Sequence, residues 1–358
     1  MVGGRGGAES PDDGRRSTAN RAIRLLRVLA AVPGWRHEAV AVVNGLFGDT
    51  LADQGSSLAT PMTLRSGVSE VAIARHSLAR AFPHASSRIA LLVHGLMSTE
   101  SVWGYPGDPG TNYGTLLARD HGVTPLLLRY NTGRHVSTNG RDLARMLHQL
   151  MVEWPVPVRD ITLIGHSMGG LVIRSAHHYA SATRPWRDYA HLRRSWPARV
   201  RRVVLIGVPN TGAPLEVLAN LTSAAMWALP IPATRLIGLG LDARSAGIRD
   251  LRFGSITDED WLEKDPDARD RLVPHRVEIL RRAAYLVIAG GVTADLDHPL
   301  ARLFGDALVT SSSAAGTLRG ASGQALFPGS TLRVFPKMNH VALAHRPEVY
   351  AEIHRWWP

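Results

Sequence analysis

Residues 161 to 172 read Ile-Thr-Leu-Ile-Gly165-His166-Ser167-Met168-Gly169-Gly170-Leu171-Val172, and this segment constrains the chain more than any other. A short apolar run enters Gly-x-Ser-x-Gly and leaves as an apolar helical pattern, which predicts strand, sharp turn and helix. Such a turn lifts the serine hydroxyl above the sheet edge and holds the serine at positive φ. Side chains two positions either side of the serine would collide across the turn, so glycine fits at 165 and 169. The helix begins with its N-terminus at the serine, which makes the Met168 backbone N–H an oxyanion donor. Gly-x-Ser-x-Gly alone is a common pattern; the strand before it and the helix after it make it specific for a nucleophilic Ser167.

The rest of the chain supports a parallel sheet around that turn. Short apolar runs at 89–93, 125–130, 161–164, 200–206, 285–289 and 332–335 alternate with helical stretches. Several are nearly continuous in apolar residues, as in strands buried on both faces and covered by helices. Helices are expected over 141–153, 169–180 and 347–356. Upstream, residues 1–20 are rich in Gly, Ser and charge and read as a disordered tail. Apolar residues at helical spacing over 21–47 predict two short helices divided by Pro33-Gly34. The expected organisation is the tail, an N-terminal helical segment over 21–66 packing on the core, and one catalytic domain over 67–358. A cap insertion is expected at about 214–282. Within it, residues 217–234 carry no charge over 18 residues. That length brushes the membrane-span threshold, but Pro230 and Pro232 break the run, so a lid or pocket wall is expected instead of an integral span.

With these motifs in place, the chain resembles the α/β-hydrolase superfamily from about residue 89 to its end. It looks most like bacterial esterases and lipases, including the lipase-like domain of GPI inositol-deacylases. The resemblance implies an α/β-hydrolase fold, a mostly parallel sheet flanked by helices with a helical cap. It extends to Leu91-Leu-Val-His94-Gly95-Leu96, where it makes the Leu96 N–H the second oxyanion donor and leaves His94 as a brace for the turn. It also covers 205–214, where Val208 stands in place of the usual threonine, and the loop-like Tyr130-Asn-Thr-Gly-Arg-His-Val-Ser-Thr-Asn-Gly140. No role follows for 205–214; the 130–140 segment, after a strand and before a helix, reads as a loop over the site or, equally, as a turn with an N-cap.

The superfamily's chain order is Ser, then Asp or Glu, then His. His340 follows the last expected strand at once and is the expected base; His345 lies five residues on, at the start of the last helix. The segment Gly305-Asp306-Ala307-Leu308-Val309 resembles the lipase element that carries the acid, which points to Asp306. Asp295 and Asp297, just past the strand ending near residue 291, are the alternatives. The implied reaction is ester hydrolysis through an acyl-enzyme, with no metal or organic cofactor. Thioester or amide hydrolysis, acyl transfer, or a non-catalytic binding protein on the same fold are the competing readings. Leu215, Leu218 and Trp227 in the apolar part of the cap are the candidate substrate-binding residues, which favours an acyl chain in a small-molecule ester or lipid.

Composition bears on partners and location. The 358 residues carry a net charge of +11, yet of 41 basic residues only Lys264 and Lys337 are lysine. The arginines are scattered, so no nucleic-acid partner is expected. The chain has no cysteine, so neither disulfides nor thiolate metal sites can form. Arg15-Arg16 is not followed by a clean apolar run, so no export signal is expected and the location is read as cytoplasmic. Peripheral membrane contact through the cap, and the oligomeric state, stay open.

Overall fold

The computed structural model describes residues 20, 22–27, 36–182, 195–213, 245–264, 275, 277–291 and 326–357. In chain order the main elements are α1 (Arg36–Asp53), β1 (Thr63–Ser66), β2 (Ser69–Val71), α2 (Arg75–Ala81) and β3 (Arg88–Val93). Then come β4 (Gly104–Tyr105), β5 (Asp108–Asn112), α3 (Tyr113–His121), β6 (Thr124–Arg129) and α4 (Val136–Glu153). The second half supplies β7 (Asp160–His166), α5 (Met168–Ala182), β8 (Val200–Ile206), α6 (Ala246–Phe253), β9 (Ala284–Gly291), β10 (Thr331–Pro336) and α7 (Pro347–Trp356).

Eight strands form one sheet in the order β10-β9-β8-β7-β3-β6-β1-β2. From β6 to β10 every neighbouring pair is parallel; β1 and β2 join antiparallel at the other end. This is the α/β-hydrolase fold that the motifs imply. All the apolar runs but the last become inner strands buried on both faces; the run at 332–335 becomes the partly exposed edge strand β10. Along β3, Ile89, Leu91 and Val93 enter the core cluster that holds Leu143 and Leu147 of α4 and Leu171 of α5. The alternating Ala90 and Leu92 enter the opposite cluster with Leu117 of α3 and Ile353 of α7. A strand with helices on both sides has no polar face to alternate with.

The hairpin β1–β2 and the helices α2, α3 and α6 were not foreseen from the sequence. The hairpin is short and polar, and its Arg65 is buried by partners far along the chain. Glu100 takes a two-pronged hydrogen bond from Arg129, Nε to Oε2 at 2.7 Å, and Arg65 Nε lies 3.4 Å from its Oε1. A buried carboxylate between two guanidinium groups thus ties the loop after β3 to the sheet edge.

Residues 22–27 are helical, and α1 runs on to Asp53, past the expected end near 47. The apolar face of α1 (Val42, Val43, Leu46, Phe47, Leu51) forms its own cluster with Met97 from the loop after β3. The described part of the expected cap is fastened to the body. Ser245 Oγ donates to Gly45 O at 2.6 Å, the Ala246 N–H to Asp49 Oδ2 at 2.7 Å, and the Gly247 N–H to Gly133 O at 3.0 Å. Asp250 accepts the Val136 N–H at the start of α4 at 2.7 Å, and Trp261 stacks on His135 with ring centres 3.7 Å apart. Residues 1–19 of the expected tail and the uncharged stretch 217–234 lie outside the described residues. Among the described residues, no helix is long and apolar enough to cross a membrane.

Candidate active site

β7 enters the turn at His166 and α5 leaves it at Met168, so Ser167 is the single residue between strand and helix. It sits at φ 54°, in the left-handed region that side chains other than glycine rarely adopt, and it is buried. Its N–H donates to Ile206 O of β8 at 2.8 Å, and its own carbonyl accepts the Gly170 N–H at 3.0 Å. The flanking glycines are there for space. A Cβ on Gly165 would lie 2.6 Å from the Gly170 backbone, and one on Gly169 would lie 2.2 Å from Val93 O.

The loop after β3 closes on this turn. Gly95 faces Ser167 so closely that a Cβ there would stand 2.8 Å from the serine Cβ. The His94 ring braces the loop from inside. Its Nδ1–H donates to Gly95 O at 2.9 Å, the Tyr130 hydroxyl donates to His94 O at 2.8 Å, and the two rings stack at 4.6 Å. Burial lowers the His94 imidazole to about 4, against the pull of the Gly95 carbonyl, so it is neutral at pH 7. Burial also pushes the Tyr130 phenol up, keeping it a donor. Leu96, half-buried, packs between the main core and the α1 cluster. Met97 is a second residue in left-handed backbone, φ 56°, and its N–H donates to Thr132 Oγ1 at 3.1 Å.

His340 reaches the same place from the far end of the sheet. It lies in the turn after β10 and is buried. His166 joins it to the serine turn: His166 Nε2–H donates to His340 O at 3.0 Å, and the two rings tilt against each other at 4.7 Å. Burial first, and the neighbouring His340 second, hold the His166 pKa well below the ordinary histidine value. Trp103 meets the edge of the His166 ring at 6.2 Å. The Tyr113 hydroxyl lies 2.8 Å from Leu343 O and accepts the Arg346 N–H at 3.0 Å, which pins the chain beyond His340 to α3. His345 faces elsewhere, with Nδ1 3.2 Å from Val102 O.

A family model described as the alpha/beta hydrolase family matches residues 90–353. The chain belongs to the alpha/beta hydrolase family. No curated protein matches this family member. Among solved structures it is similar to the mature form of a Bacillus licheniformis lipase, at 18% identity and a TM-score of 0.45, covering 76% of this chain and 94% of that one. It is also similar to the carboxylesterase CesB of Bacillus subtilis (15%, TM-score 0.38, covering 75% and 82%) and to an esterase of a Rhodococcus species (17%, 0.40, covering 76% and 91%). At these identities the likeness to the three does not extend to activity.

Of the site residues expected in this family member, Ser167, Met168, Leu96 and His340 gather around one turn. Asp306 and its alternatives Asp295 and Asp297 lie outside the described residues, as do Leu215, Leu218 and Trp227. Among the described residues, no group of three or more His, Asp or Glu is arranged to hold a metal. The cavity lined by His135, Asp250 and Trp261 includes neither Ser167 nor His340. Two residues at the site had no role assigned from the sequence. His166 occupies the free position of Gly-x-Ser-x-Gly, where its only signal was being a histidine. Thr132 stood in a segment read either as a loop over the site or as a turn with an N-cap, and nothing local marks a hydrogen bond to a residue 35 positions earlier.

Proposed function

We propose that this protein is a serine hydrolase of carboxylic esters that works through an acyl-enzyme. The observation that carries the reading is Ser167 at φ 54° between β7 and α5, with the Gly95 turn pressed against it. Strain of this kind is kept where a fold presents a nucleophile.

In the reaction, Ser167 Oγ attacks the ester carbonyl while His340 takes its proton. Charge builds on the carbonyl oxygen, and the N–H groups of Met168 and Leu96 hold it. Collapse expels the alcohol, which takes the proton from the His340 imidazolium and leaves the acyl group on Ser167. Water then adds to the acyl carbon with His340 again as base, and the carboxylic acid departs. Asp306 orients the neutral His340 tautomer and stabilises its protonated form. The cap residues Leu215, Leu218 and Trp227 bind the acyl chain, so the substrate is a small-molecule ester or a lipid, and the site of action is the cytoplasm. His94 and His166, both held neutral by burial, add no positive charge that would oppose protonation of His340.

A fluorophosphonate probe tests the reading. It is expected to label the wild-type protein and not Ser167→Ala; folded wild-type protein that takes no label overturns it. Turnover of p-nitrophenyl esters by Asp306→Ala, Asp295→Ala and Asp297→Ala then assigns the acid: the variant that loses at least a hundredfold carries it.

A further inference from the structure

The oxyanion turn contains a strained residue that does no chemistry itself. Met97 follows Leu96 directly and is held at φ 56°. A methionine in left-handed backbone relaxes unless its surroundings fix it. Two contacts do so, from two different parts of the chain.

The Met97 N–H is fixed by Thr132 Oγ1 at 3.1 Å, with both residues buried. The Met97 side chain is fixed by α1: a Cβ on Gly45 would fall 2.3 Å from Met97 Cγ, so only glycine lets the helix come this close. Thr132 is itself fixed. Its neighbour Asn131 accepts the Gly133 N–H at 3.0 Å through Oδ1 and donates to Gly48 O of α1 at 2.8 Å through Nδ2. The Asn131 carbonyl accepts from Asn139 Nδ2 of α4 at 2.9 Å. On its other side Thr132 O abuts α6, where a Cβ on Gly247 would lie 2.0 Å away.

We infer that Thr132 is a positioning residue for the oxyanion hole: by holding the Met97 N–H through its hydroxyl, it fixes the turn that aims the Leu96 N–H. The inference rests on the proposed ester chemistry. It adds that the Tyr130–Asn–Thr–Gly133 loop and α1 serve the transition state, and that Met97 is not an oxyanion donor, because its N–H is already spent on Thr132.

Positioning a donor differs from supporting the fold in what it changes. A displaced Leu96 N–H weakens the hold on the oxyanion and leaves ground-state binding in place, so kcat falls while KM stays. Loss of one oxyanion donor costs about 10²–10³ in kcat. Thr132→Val keeps the shape but removes the acceptor. Its kcat on p-nitrophenyl butyrate should fall at least tenfold, with KM within twofold of wild type. The affinity for a trifluoromethyl ketone, whose hemiketal oxyanion needs the same hole, should fall in parallel. Thr132→Ser keeps the hydroxyl and should restore most of both. Gly45→Ala, which pushes Met97 from the α1 side, should reproduce the kcat loss and decides the matter if Thr132→Val does not fold. A folded Thr132→Val with wild-type kcat and ketone affinity overturns the inference alone, as does a Thr132→Ser no better than the valine variant. Wild-type protein inert to both fluorophosphonate and esters overturns the ester reading, and this inference with it.

Discussion

Gly95→Ala is the sharpest probe of the site, because it adds one methyl group where two turns nearly touch. The new Cβ would stand 2.8 Å from the Ser167 Cβ and 3.3 Å from both His166 Nδ1 and His166 O. Carbon atoms in contact rest at about 3.5–4.0 Å, so the turns must part by about 1 Å. Gly95 is not in left-handed backbone, so alanine adds no conformational strain there and the effect is purely one of space. A shift of about 1 Å at reacting groups costs about a hundredfold in rate, or about 2.7 kcal/mol of transition-state stabilisation. The packing cost to the fold is about 1–3 kcal/mol, so the variant should fold with a lowered urea midpoint. The assay is p-nitrophenyl butyrate turnover together with the second-order rate of fluorophosphonate labelling, both expected near 1% of wild type. Gly110→Ala is the control, since its methyl would meet only Asp108 Oδ1 at 3.5 Å. A folded Gly95→Ala that keeps more than a third of wild-type kcat/KM would show that the two turns need not touch for catalysis.

Other perturbations test the surrounding architecture. Glu100→Gln leaves Arg129 and Arg65 without their shared carboxylate, and breaking a buried pair costs about 3–5 kcal/mol, readable in the urea midpoint. Glu70→Gln, at a glutamate 61% exposed, should cost less than 1 kcal/mol; equal losses in the two variants refute the argument. Stability should fall as the pH drops from 6.5 toward 4. Over that range the unfolded chain takes up protons that the buried His94 and His166 refuse, while Asp250, raised by burial, pulls the other way. With His94 held at about 4, its share at pH 4 is roughly 3 kcal/mol, so His94→Gln should flatten the dependence; an unchanged slope refutes it. Asp250→Ala strips the acceptor from the buried Val136 N–H and should cost about 1–3 kcal/mol, whereas Asp258→Ala, at a half-exposed partner of Arg141, should cost less.

The parts of this molecule that were readable in the sequence are those whose cause is local. β3, β7 and β8 announce themselves because burial on both faces makes their inner residues almost all apolar. The turn at Ser167 announces itself because its sterics demand glycine within two residues. The hairpin β1–β2 does not: Arg65 looks like a surface residue until Glu100 and Arg129 are brought beside it. α3 went unread although its ends are local, an Asn112–Thr115 capping box and Gly122 in left-handed backbone; what no local pattern shows is that Tyr113 is held by residues 343 and 346, more than two hundred positions away. The place of His340, in the turn just after the last strand, was legible. The carbonyl that receives His166 was not, because that contact joins two ends of the chain. Thr132 and Met97 likewise gain meaning only when paired.

The position of α1 has a bearing on where this protein divides into parts. The alpha/beta hydrolase match begins at residue 90, yet α1, β1 and β2 all precede it. A fragment trimmed to residues 90–353 would uncover the strained Met97 and turn Val42, Val43 and Leu46 from neighbours into missing floor. It would also unpair one edge of β6 and remove one of the two cations around Glu100. The border at which sequence similarity begins is therefore not the border of the packed unit, whose contacts reach back through β1 to α1.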